Sequence, residues 1–109
     1  MLAETPEPPY VAVIFTSVRT GEDEVNYAAT DAAMDQLAAA QPGYLGIEGA
    51  YDAGTRQGIT VSYWASAEHA RAWKAVAEHV AAQRLGRERW YSAYRVRVAT
   101  VDREYGSPD

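Results

Sequence analysis

The chain contains no cysteine. That excludes disulfides, thiolate nucleophiles and every cysteine-ligated zinc or iron–sulfur centre. Histidine is nearly as scarce: His69 and His79 are the only two. If both lie on one helix, their spacing puts them about 15 Å apart along its axis, too far to share an ion. No His-x-x-x-His pair, no carboxylate cluster at metal spacing and no glycine-rich phosphate loop occurs, so metal and nucleotide readings both fall. Long apolar runs are missing as well, which excludes a membrane-spanning helix. The opening MLAETPEPPY carries acids and prolines where a secretory signal would have basic residues and then an apolar segment, so a cytoplasmic location is the expectation. Basic charge is thin in the first half, where nine acids meet only Arg19, against nine bases and six acids after residue 52. A net charge of −5 argues against nucleic acid and anionic membranes as partners.

What is present suits one compact domain. At 109 residues the chain can hide roughly two thirds of its unfolded surface, and its 48% apolar and 23% charged content is ordinary globular usage. Residues 1–9 form a proline-bearing arm and 106–109 a polar tail, both expected to be flexible, around a domain at 10–105. YVAVIFTSV (10–18) is β-branched and aromatic, which predicts a strand apolar on both faces. Thr20, with acids following, predicts a helix start, and the spacing of Tyr27, Thr30, Met34, Leu37 and Ala38 predicts a helix from about Glu22 to Gln41, stopped by Pro42. GYLGIEGAYD (43–52) and GITVSYW (58–64) read as a hairpin. Ser66 caps a second helix with the stripe His69, Trp73, Val76, Val80, which Gly86 ends, and WYSAYRVRVATV (90–101) is the last strand.

The order β-α-β-β-α-β is the split arrangement of ferredoxin-like α+β folds, with both helices on one face of a four-stranded antiparallel sheet. The strands carry apolar residues on the other face too, so that face should meet something apolar. A second copy of the sheet, in a homodimer, is the simplest partner.

The stretches IFTSVRTGED, PGYLG, GITVSYW and AWKAVAEHVAAQRLGRERWY resemble the antibiotic biosynthesis monooxygenase family of dimeric α+β barrels, over roughly Tyr10 to Tyr105. The likeness is greatest to a bacterial branch with the same tryptophan after the third strand and the same AWK…EH…AQ…GR…WY second helix. The resemblance implies a homodimer and, among the activities of the superfamily, cofactor-independent oxygenation of aromatic quinols or haem degradation. The aromatic oxygenases place a tryptophan and polar side chains of the third strand beneath the helices. Trp64 matches that tryptophan and shares a strand face with Thr60 and Ser62, but the asparagine partner does not carry over. The haem-degrading branch has an asparagine on the first strand, where this chain has Thr16 and Ser17. It also has a haem-ligating histidine on the second helix, whose spacing from tryptophan differs from that of Trp73 and His79.

The expected function is therefore cofactor-independent monooxygenation of a small aromatic, quinol-like compound, with no bound cofactor or metal. On a helical wheel His79 lies on the border of the second helix's apolar stripe, and an imidazole can accept a phenolic proton near neutral pH. His79 and Trp64 are the catalytic candidates. Ser62, Thr60, Trp73 and Tyr63 are the substrate-binding ones, although Trp73 also suits a core position. His69 in the first helical turn reads as structural. Arg84, Arg87, Arg89, Arg95 and Arg97 suit salt bridges within or between subunits, or an anionic ligand. The alternatives are a haem-binding or haem-degrading protein and a non-catalytic dimeric ligand-binding module.

Overall fold

The computed structural model describes residues 2–83 and 87–107. It contains β1 (Tyr10–Arg19), α1 (Glu24–Ala39), β2 (Tyr44–Asp52), β3 (Gln57–Trp64), α2 (Ala67–Gln83), the single turn α3 (Arg87–Trp90) and β4 (Tyr91–Val101). The strands form one antiparallel sheet in the order β2-β3-β1-β4, the ferredoxin-like topology expected from the sequence. Among the described residues no helix is long and apolar enough to cross a membrane.

Strand periodicity decides which side chains meet the helices. Val11, Val13, Phe15 and Ser17 of β1 pair with Trp64, Ser62, Thr60 and Gly58 of β3, and paired residues share a face. One end of this face is solid core. Val11, Val13, Ala38, Trp64, Ala70 and Trp73 form a buried cluster, with Met34, Leu37 and Val76 packed against it. Toward the other end the helices present small side chains, among them Ala77 and Ala81 of α2, and the space beneath them is not filled.

The helix starts differ from each other. Ser66 caps α2 as expected, its hydroxyl accepting from the His69 N–H at 3.2 Å and meeting His69 Nδ1 at 2.8 Å. That bond gives His69 its structural place. Thr20 does not cap α1. The chain turns through Gly21 and Asp23, both at positive φ, and the helix begins only at Glu24. Thr20 instead accepts from the Glu22 N–H and donates to the Arg89 carbonyl, tying the loop to the segment before β4. Trp90, expected in the last strand, ends α3, and the pairing register of β1 with β4 shifts between Val18 and Arg19. Gly86, the expected stop of the second helix, and Arg84 lie outside the described residues.

On the opposite face the N-terminal arm and the C-terminal segment meet. The Ala3 N–H donates to Glu48, Thr5 donates to Glu104, and the Tyr10 hydroxyl donates to Glu104 at 2.9 Å. Tyr10 and Ala12 at this end of the face are buried. Ile14, Val61 and Ile59 farther along this face remain partly exposed, Ile59 at 43%.

Candidate active site

The unfilled end of the helix-covered face is a cavity of about 410 Å³. Its floor is Val13 and Phe15 of β1, Thr60 of β3, and Tyr94 and Val96 of β4. Its roof is Tyr27, Asp31 and Asp35 of α1 with Trp73 and Lys74 of α2, and Trp90 and Tyr91 close its far end. The aromatic wall is interlocked. Tyr27 stands edge-on to both Trp90 and Tyr91, Phe15 edge-on to Tyr91, and the centroid separations are 5.3 to 5.9 Å. Such rings offer large apolar contact to an aromatic ligand.

Polar groups are few. The Tyr91 hydroxyl donates to the Tyr27 hydroxyl at 3.4 Å, and burial pushes both phenols up from their ordinary range. Asp31 and Asp35 are one helical turn apart on the roof, exposed at its rim. Burial of its carboxylate raises Asp31, the charge of Asp35 raises it further, and Arg19 partly offsets this. Burial raises Asp35 as well. The physical cause is that a carboxylate beside an apolar wall and a like charge loses favourable hydration. Raised carboxylates are better proton acceptors for a phenol than ordinary ones. Thr30 Oγ1 and Trp90 Nε1 are buried beside the cavity without a partner among the described residues.

The residues singled out from the sequence divide. Thr60 and Trp73 line the cavity. Trp64 does not: it has no exposed surface, stacks on Trp73 from behind, and donates from Nε1 to Ser62 Oγ at 2.9 Å. That bond occupies Ser62, which is itself buried. Tyr63 alternates to the other face of the sheet, where its hydroxyl donates to Glu48 at 2.6 Å. His79 is exposed on α2 and is not among the residues lining the cavity. A helical wheel placed it at the stripe's border, but the cavity opens along the Lys74, Glu78 and Ala81 side of α2. Among the arginines, Arg89 pairs with Asp23 at 3.8 Å. The side chain of Arg87 lies outside what is described. Asp31, Asp35, Tyr27 and Tyr91 were missed as site residues. The signal for the first two was an i, i+4 carboxylate pair beside the Tyr27–Met34 stripe.

Residues 9–85 match the antibiotic biosynthesis monooxygenase family. The chain belongs to that family. A relative within it, the uncharacterised protein YqjZ of Bacillus subtilis, is 52% identical over 103 residues, covering 94% of this chain and 89% of that protein. Among solved structures, a variant of SnoaB, a cofactor-independent oxygenase from Streptomyces nogalater, superposes with a TM-score of 0.72 at 12% identity, over 90% of this chain and 98% of that one. Rv0793 from Mycobacterium tuberculosis gives 0.66 at 15% identity, over 91% and 99%. At these identities the two structures show that the family fold is shared.

Proposed function

We propose that this family member is a cofactor-independent monooxygenase acting, as a homodimer, on a small aromatic, quinol-like compound. The observation that carries this reading is the aromatic cavity with a carboxylate of raised pKa, Asp31, at its rim. The described activity of SnoaB agrees with it. The ring packs against Phe15, Trp73 and Tyr94, and Asp31 accepts the phenolic proton. The phenolate then gives one electron to dioxygen, and the resulting radical pair joins at a ring carbon that carries hydrogen. The peroxide takes the proton from Asp31. Loss of the ring C–H proton to Asp31 breaks the O–O bond, giving a carbonyl and water. One oxygen atom enters the product, the other leaves as water, and the substrate supplies all the electrons.

The test is oxygen uptake by the purified protein with electron-rich quinols, read with an electrode beside the uncatalysed rate. Uptake above that rate, lowered by roughly two to four orders of magnitude in Asp31→Asn, is expected for a lost general base. Binding of the quinols without oxygen uptake would leave a ligand-binding module as the better reading.

A further inference from the structure

A second cavity, of about 380 Å³, adjoins the first and shares Phe15, Tyr27, Asp31, Asp35 and Thr60 with it. The two form one trough running beneath α1, but their walls differ. Where the first is aromatic, the second is floored by Ser17, Thr60 and the glycine-bearing strands β2 and β3. Glycine keeps this floor open. A Cβ on Gly49 would lie 2.9 Å from the Ile59 carbonyl oxygen and 3.3 Å from Thr60 Oγ1, and one on Gly58 would lie 3.6 Å from Ser17 Oγ.

Three polar groups of this chamber are unspent, whereas Glu48, which also lines it, accepts from the Ala3 N–H and the Tyr63 hydroxyl. Ser17 is only 4% exposed, yet its hydroxyl has no hydrogen-bond partner among the described residues. Thr60 Oγ1 has none either, and Asp35 makes neither a hydrogen bond nor an ion pair among them. Arg19, which itself lines the chamber, and Lys74 nearby are engaged with other groups. Arg19 pairs with Glu24 and stacks over Tyr27 and Tyr51 at 3.9 and 4.2 Å, while Lys74 faces Glu78 at 3.7 Å. A neutral ligand would leave the Asp35 charge beside an apolar wall uncompensated. A primary ammonium has three donors and a positive charge, which match one carboxylate and two hydroxyls.

We propose that the second chamber is an ammonium subsite formed by Asp35, Ser17 and Thr60, so that the substrate is an aromatic hydroxyl compound bearing a short primary-amine arm. The assignment rests on the aromatic cavity holding the ring, as in the function proposed above, and gives the two carboxylates separate tasks. Asp31 faces the phenol, and Asp35 holds the arm.

Three catechols that differ only in the arm test this: 4-ethylcatechol, 4-(2-hydroxyethyl)catechol and 4-(2-aminoethyl)catechol, titrated calorimetrically without oxygen at about neutral pH. The amine should bind at least about tenfold more tightly than the ethyl compound, as expected for a charge-assisted hydrogen bond at a partly exposed site. Asp35→Asn should bring the affinities of the two to parity, read as their ratio, and Asp31→Asn should leave the preference in place. Equal binding of the amine and ethyl compounds overturns the subsite, as does a hydroxyethyl compound that binds as tightly as the amine, or a preference that survives Asp35→Asn. If none of the three binds, both this inference and the aromatic cavity reading fall. An amine preference without oxygen uptake in air supports the subsite and overturns the oxygenase reading alone.

Discussion

Trp64 and Trp73 stack with ring centroids 5.7 Å apart and planes 21° apart, Trp64 on the core side and Trp73 on the cavity side. One ring is wholly enclosed while the other has a free face. Trp64→Ala should therefore act first on stability, costing about 3–5 kcal/mol for a large buried aromatic and leaving Ser62 without its partner. Trp73→Ala should instead weaken ligand binding by a larger factor than it lowers Tm. Chemical denaturation and calorimetric titration of the two variants check this. Equal effects on stability and on affinity in both would mean that the stack works as a single unit.

Gly43→Ala should be among the most damaging small substitutions in the chain. Gly43 has φ of +80°, and a Cβ there would lie 2.2 Å from Cγ of His69. The His69 ring is held by Ser66 and cannot give way without loosening the cap of α2, and the Gly43 carbonyl accepts from Ala65 at 2.8 Å. Strain and clash together should cost more than about 2 kcal/mol, read as a loss of denaturation midpoint. A His69→Ala background should recover part of that loss, since it removes the clash and leaves the backbone strain.

Much of this architecture was legible in the sequence because it is periodic. The β-branched and aromatic runs VAVIF and GITVSYW, the alternation of GYLGIEGAYD and WYSAYRVRVATV and the 3.6-residue spacing of both helices led to the observed element order, and Ser66 led to the cap of α2. The site was less legible. Trp64 and Trp73 lie on different elements, and only tertiary packing decides which of two stacked indoles borders the cavity. His79 was singled out for its chemistry, and helical periodicity cannot tell which border of a stripe opens onto a cavity. Asp31 drew no notice in the sequence because the cavity it borders is built from strands and helices far apart along the chain, which no local pattern brings together.

Stability should respond to pH in opposite directions at two carboxylates. Asp31 is raised in the folded state, so its protonated form is favoured there. It imposes no penalty below the unfolded carboxylate value of about 3.9, and a growing one as pH rises through its folded value. Asp31→Asn should raise Tm at neutral pH by at most roughly a few degrees, given the exposed rim, with no gain below about pH 3.9. Glu48 is lowered, chiefly by the Tyr63 hydroxyl and then by the Ala3 N–H. Its contribution is present at neutral pH and is lost as pH falls through its folded value, so Glu48→Gln should lower Tm at neutral pH and converge with the parent in acid. Thermal melts across pH check both. Parallel curves for either variant and the parent would remove that carboxylate from the account.

The proposed homodimer would use the sheet face that the helices leave uncovered. The arm reaches Tyr10 and Glu48, while Ile14, Val61 and Ile59 remain partly exposed. Light scattering at micromolar concentration should give twice the chain mass of 11.9 kDa. Ile59→Glu should shift the proposed dimer toward monomer by placing a charge where a partner sheet would pack. A monomeric parent would leave the exposed Ile59 face without that role.

The last prediction separates two candidate proton acceptors. His79 is an imidazole, the stronger base by type, but lies outside the cavity, whereas Asp31 is a weaker base by type that stands at the cavity rim with its pKa raised. Position should outweigh type, because a general base must come within hydrogen-bond reach of the proton it removes, and no advantage in pKa replaces that contact. His79→Ala should therefore leave quinol oxidation within about twofold of the parent, while Asp31→Asn lowers kcat with little change in affinity for the neutral catechol. The pH profile gives an independent reading. Activity that rises below the histidine range and is already level through it follows from a carboxylate base. A rise centred on the histidine range that disappears in His79→Ala would return the role to the imidazole and require α2 to turn that face toward the ligand.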